Sequence, residues 1–187
     1  MDLLQNSVEM TAAARQVDGR VEVTVSITNT NVGHHVPTDH PGRHLTLTVR
    51  ARDMQWHDLI RQAGSVVPAW GGAQAGQPGK AYAKVLQDVA TGEAPVVSYW
   101  KQTRSISDNR LAALQSDTSI YAFAAPPAGG PIDVTAELRF RRAFQAVMDA
   151  KAWDTPDVVI EEAHGGAMIP PFGRLYLPLV TAVNFPY

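Results

Sequence analysis

Gln16-Val-Asp-Gly-Arg-Val-Glu-Val-Thr-Val-Ser-Ile-Thr28 is the stretch whose reading decides the fold. Val21, Val23, Val25 and Ile27 fall on one face of an extended chain, and Glu22, Thr24, Ser26 and Thr28 on the other. That period of two predicts a strand with one buried and one wet face, as in an antiparallel sheet or sandwich. Asp18-Gly19 stands directly before it, after the weakly alternating run Ser7 to Arg15. An Asp-Gly pair between two such runs is a strong short-range signal for a β-hairpin.

The same pattern recurs downstream. Leu45, Leu47, Val49 and Ala51 alternate with Thr46, Thr48 and Arg50, which puts His44 on the outer face of that strand. Ile132, Val134, Ala136, Leu138 and Phe140 repeat it late in the chain. Shorter strand candidates are Ala81 to Val89, Val96 to Trp100, Ile120 to Phe123 and Val158 to Ile160. The run Leu175 to Val183 reads as an edge or bulged strand, because Pro178 cannot donate to a ladder. Within Arg141 to Trp153 the character changes. Phe144, Val147 and Met148 lie at helical spacing among alanines, which predicts one short helix. Residues 63–80, Pro126 to Pro131 and His164 to Gly173 read as loops on composition. Seven or eight short strands with turns between them predict a mostly β protein. The expected form is an antiparallel β-sandwich, immunoglobulin-like or jelly-roll, with a short late helix. Residues 1–187 are expected to form a single domain with a loop excursion at about 63–80.

Composition narrows the function classes. The formal net charge is −2 and charged residues are 18% of the chain, so no basic footprint for nucleic acid or an anionic membrane exists. Cysteine is absent, which excludes disulfides, thiolate metal sites and covalent CxxCH haem attachment within the chain. No apolar run has the length of a membrane-spanning helix. The opening Met1-Asp-Leu-Leu-Gln5 lacks the basic flank and apolar stretch of a signal peptide. That start fits a cytosolic chain or a piece of a longer product.

Potential chemistry concentrates in Asn29-Thr-Asn-Val-Gly-His-His-Val-Pro-Thr-Asp-His-Pro-Gly-Arg-His44, which holds four of the six histidines. Imidazoles are common ligands for zinc, copper and iron, and Asp39 can complete a set with His34, His35, His40 and His44. No HExxH spacing fixes them on one point, so a proline-pinned corner with solvent-facing histidines is the competing reading. His57 and His164 read as ordinary loop residues. Glu161 and Glu162 read as surface carboxylates on opposite faces of a strand end. Asp108 and Arg110 read as a structural clamp through charge-assisted hydrogen bonds. GxSxG, Walker and GxGxxG motifs are missing, and the four tryptophans are assigned to core packing.

The segment Asn29 to Thr38 resembles the N-T-x-x-G-H-x-x-P-T-G signature of a domain found at the C-terminal end of multihaem c-type cytochromes. Beyond the signature, Arg43 and the strand from Leu45 match the family's arginine and alternating strand, and Asp108-Asn-Arg-Leu111 looks like its D-N-R-L element. Asp39 departs from the pattern, standing where the signature has glycine, as does His44 after Arg43. The resemblance implies an extracytoplasmic β-sandwich joined to a haem-bearing region or subunit. In that setting His34 would be the histidine that faces or ligates a haem iron or another metal. The expected function is therefore a non-catalytic accessory module in electron transfer, with periplasmic or cell-surface location. Two alternatives are a stand-alone metal-dependent enzyme using the His34–His44 cluster, and a surface binding or adhesion module using the 63–80 excursion.

Overall fold

The computed structural model describes residues 2–38, 40–97 and 100–171, and two four-stranded antiparallel sheets dominate it. A four-residue helix α1 (Asp2–Gln5) precedes β1 (Glu9–Val17) and β2 (Arg20–Thr28). Asp18 and Gly19 close that hairpin with positive φ of 48° and 73°, the left-handed pair a two-residue turn needs. β3 spans His44–Arg52 and β4 Arg61–Ala63, followed by a 3-10 segment (Ala69–Gln74), β5 (Gly79–Tyr82) and β6 (Lys84–Asp88). The chain continues through β7 (Thr103–Asp108), β8 (Ser116–Ala124), β9 (Gly130–Arg141), α2 (Gln145–Lys151) and β10 (Val158–Ile169). The first sheet runs in the order β1-β2-β8-β4 and the second β10-β9-β3-β5, while β6 and β7 form a separate ribbon.

The two large sheets share one core. Val21, Val23, Val25 and Ile27 of β2, with Tyr121 and Phe123 of β8, meet Leu45, Leu47 and Val49 of β3 and Val134, Ala136 and Leu138 of β9. These are the alternating positions of the sequence, and the antiparallel sandwich with one short late helix is the fold the chain adopts. At the β5 side a polar bridge joins the sheets. Asp117 of β8 accepts from Lys80 Nζ at 2.8 Å with both oxygens and from the Tyr82 hydroxyl at 2.8 Å. Burial pushes the Asp117 carboxyl up, but the Lys80 and Tyr82 hydrogen bonds outweigh it and hold the carboxyl below its usual range.

Several segments differ from their sequence reading. His164 to Ile169 are not a loop but the second half of β10, paired with β9 from Thr135 to Gly130. Gly165 is there because β10 crosses β1 closely. A Cβ on it would sit 2.7 Å from the Ala12 carbonyl oxygen. Glu161 and Glu162 consequently lie mid-strand. Burial, with the charge of Glu9, raises the Glu161 carboxyl above its ordinary range. β7 has no counterpart among the expected strands because its side chains are exposed almost throughout and show no alternation. Ala81 to Val89 divides between β5 and β6, which lie in different sheets. Val96 and Val97 are not in a strand, and residues 98 and 99 lie outside the described residues, as does Leu175 to Val183. The excursion at 63–80 contains the 3-10 segment, and its end enters the second sheet as β5. Trp56, Trp100 and Trp153 are exposed rather than core residues.

β5 can lie beside β3 only because its first residue has no side chain. A Cβ at Gly79 would fall 2.0 Å from the Leu47 carbonyl oxygen, which belongs to the ladder and cannot move aside. Gly79→Ala should therefore destabilise the fold by about 3 kcal/mol, as overpacking against backbone does. Urea unfolding followed by tryptophan fluorescence measures the loss.

Candidate functional site

The histidine-rich corner carries the chain from β2 in one sheet to β3 in the other, and a buried asparagine organises it. The Asn29 side-chain amide donates to the carbonyls of His34 (2.8 Å) and Leu111 (3.2 Å), while its Oδ1 accepts from Val32 N–H (3.2 Å). Its backbone exchanges with the 111–115 segment too, donating to Gln115 O and accepting from Leu114 N–H, each at 3.0 Å. Val36 and Leu111 exchange two backbone hydrogen bonds at 2.8 and 3.0 Å. The two stretches on which the family resemblance rests are therefore neighbours in space. Asn109, within the second of them, ties the β5–β6 junction. Its amide donates to Ala81 O (2.7 Å) and accepts from Ala83 N–H (2.9 Å). Arg110 grips Asp108 with two hydrogen bonds of 2.8 and 2.7 Å, which makes this pair the structural clamp expected of it. Those bonds hold the Asp108 carboxyl below its ordinary range, with a small contribution from nearby His35.

The four histidines are placed differently, and their ring nitrogens decide what each can do. His34 is exposed, and its Nδ1 lies 3.0 Å from the His35 carbonyl oxygen. A carbonyl only accepts, so Nδ1 carries the proton and the Nε2 lone pair is left for an outside partner. This is the arrangement in which a histidine serves as a metal ligand, its second nitrogen fixed by a backbone carbonyl. His35 is also exposed, on the Asp108 side of the corner. His40 is half-buried. Its Nδ1 accepts from Gly42 N–H at 3.0 Å, so in the neutral ring Nε2 carries the proton.

His44 is buried completely, contrary to the solvated setting that strand parity alone suggests. Parity does put it on the outer face of β3, but that face is roofed by the 3-10 segment and α2. The imidazole stacks on Phe144 at 5.2 Å between centroids and meets Trp70 edge-on at the same distance. Its Nδ1 donates to Gly42 O at 3.0 Å. Desolvation in this aromatic box lowers the His44 pKa to about 4. Among the described residues no group of three or more His, Asp or Glu side chains is assembled to hold a metal ion, and Asp39 lies outside those residues. The histidine cluster is thus divided. His34 and His35 face out, His40 is tied into its own turn, and His44 belongs to a packed layer. That layer, with Trp70, Phe144, Arg141 and Asp157, has no signature in the sequence.

Glycine at position 33 is unexpected on structural grounds. A Cβ there would meet nothing within 4 Å, and the residue does not need a positive φ. The chain itself therefore does not require glycine beside His34.

No protein-family model matches this chain, and no curated protein matches it. Among solved structures, the crystal structure of a penta-heme cytochrome c552 from Thermochromatium tepidum is similar over 87% of this chain, with a TM-score of 0.67 and 21% identity. This chain spans 40% of the length of that cytochrome. The N-terminal domain of PorA aligns over 86% of this chain at 10% identity, with a TM-score of 0.29 that is too low to bear on the fold. The sandwich is thus a fold shared with part of a multihaem cytochrome, and this chain has no CxxCH of its own.

The buried His44 sets an acid limit on stability. Its folded pKa of about 4 lies below the ordinary 6.5, so between those values the unfolded chain binds the extra proton and the folded chain does not. Stability should be unaffected by this group above pH 6.5 and fall as pH drops toward 4. The loss is on the order of 3 kcal/mol. His44→Phe, which keeps an aromatic ring in the stack, should flatten that part of the stability–pH curve measured by urea unfolding.

Proposed function

We propose that this chain is a non-catalytic β-sandwich accessory module of a multihaem cytochrome or related electron-transfer assembly, working outside the cytoplasm. Its corner presents His34 to a haem iron, or to another transition metal, carried by a haem-bearing region or a separate subunit. The observation that carries this reading is the exposed His34 ring with Nδ1 bonded to a backbone carbonyl, which leaves Nε2 as an outward-facing ligand. The fold shared with part of a penta-heme cytochrome supports the kind of assembly. The open space at Gly33 supports the role of the corner. A glycine whose backbone does not demand it is suited to let a bulky partner, such as a porphyrin edge, approach the adjacent ligand.

In this arrangement the chain's own residues do three things. Asn29 holds the His34 carbonyl and thereby the path of the corner. The His35 carbonyl fixes the tautomer of His34. The Val36–Leu111 pairing keeps the corner on the end of the sandwich. A haem iron, when bound, would supply the electron transfer.

The test is titration of the purified chain with a ferric haem peptide that has one open axial position. Histidine ligation should convert the peptide from a high-spin to a low-spin absorption spectrum. His34→Ala should abolish the conversion, whereas His57→Ala and His164→Ala should leave it unchanged. No conversion by the unaltered chain, or full conversion by His34→Ala, would overturn the assignment. Gly33→Ala should leave folding stability equal or higher by about 0.4–1 kcal/mol, and should weaken the titration several-fold. Equal affinity in Gly33→Ala would remove the clearance role while leaving His34 as the ligand.

A further inference from the structure

Four buried side-chain atoms among the described residues have no hydrogen-bond partner, and three of them belong to residues at one end of the β3–β9 ladder. They are His44 Nε2, Thr46 Oγ1 and Arg141 Nε, with Thr30 Oγ1 standing apart at the corner. His44 pairs directly with Arg141 across β3 and β9, and Thr46, two residues along β3, is on the same face of the sheet. All three side chains are over nine-tenths buried, and His44 and Thr46 are fully so. An orphaned buried donor or acceptor costs about 1–3 kcal/mol, so three on one face at one end of the ladder would be a heavy penalty.

The chemistry of the three groups specifies what would satisfy them. His44 Nδ1 donates to Gly42 O, so Nε2 is an acceptor that needs a donor. Arg141 Nε–H is a donor that needs an acceptor, and a threonine hydroxyl can be either. The other guanidinium nitrogens are already engaged. Nη1 donates to both Asp157 oxygens at 2.9 and 3.0 Å, and Nη2 donates to Gln145. A cation is repelled there by Arg141. An anion would have to be stripped of water beside a guanidinium whose charge Asp157 has already balanced. A small neutral molecule that both donates and accepts is the remaining class.

We propose that a single water molecule is bound internally between His44 Nε2, Arg141 Nε and Thr46 Oγ1, as a built part of the fold. This inference does not rest on the proposed role of His34. The water donates to His44 and accepts from Arg141, and the Thr46 hydroxyl completes its coordination. Three partners is the usual number for a buried water. It also explains why so polar a set can underlie an aromatic layer. Trp70 and Phe144 close over His44, while Gly72, at φ 74°, lets the 3-10 segment lie on the guanidinium. A Cβ on Gly72 would be 2.4 Å from the Arg141 Cζ. The water thus becomes the polar filling between the second sheet and its roof.

Two measurements test this on the intact chain. Nitrogen-15 NMR of the histidine rings near neutral pH should find His44 protonated on Nδ1, with an Nε2 resonance moved upfield from that of a bare ring nitrogen by an accepted hydrogen bond. A resonance typical of a bare nitrogen, or a protonated Nε2, would overturn the proposal. Magnetic relaxation dispersion of solvent oxygen-17 should detect a long-lived water. Thr46→Val should shorten its residence time by roughly tenfold, the effect of losing one hydrogen bond, and His44→Phe should remove it. Unchanged dispersion in both variants, each folded by circular dichroism, would equally count against the site.

Discussion

The amide of Asn29 is the interaction on which the arrangement of this protein turns. A chain leaving β2 in one sheet must enter β3 in the other, and its backbone polar groups lose water as it does so. Asn29 has two donors and one acceptor to offer in a small space. It commits them to His34, Leu111 and Val32, three points of the two segments that cross there. The corner then closes on the 109–115 segment through Val36 and Leu111. Everything attributed to His34 presupposes this asparagine, since the hydrogen bond of the histidine's own ring goes only to the adjacent carbonyl.

β3 transmits the consequences of that corner into the body of the protein. Its inward residues join the common core, and its outward residues at the corner end are buried beneath a second, local layer. A strand covered on both faces for half its length cannot shift register without exposing one set and burying the wrong other. The corner and the aromatic layer are thus held by the same rigid element. The likeness to part of a penta-heme cytochrome concerns this scaffold, and what the scaffold presents is particular to the residues at its end.

Much of the scaffold is legible in sequence because burial on one side imprints a period of two. β2, β3 and β9 carry that imprint without interruption, and Asp18-Gly19 marks the hairpin. The remaining parts escape such a reading for physical reasons. β10 contains Gly165 and Gly166, which composition assigns to a loop, yet Gly165 is demanded by the passage of β1 close beside it. β7 has no buried face to leave a pattern. The burial of His44 is invisible because parity reports which face a residue is on, and not whether a 3-10 segment more than twenty residues away will cover it. The D-N-R-L stretch stands out in sequence, but its contact with the corner runs largely through backbone groups, which leave no trace in side-chain identity.

The sandwich's margins have a bearing on how any partner can reach it. On one side the flanking strands are β4 and β5, of three and four residues. On the other, β1 and β10 pack against each other, closing the space between the sheets. Short or mutually covered margins offer little unpaired backbone for a foreign strand to extend. Among the described residues, the two large sheets are therefore poor templates for recognition by strand addition. What those two sheets present at their margins is therefore side chains rather than open backbone ladders.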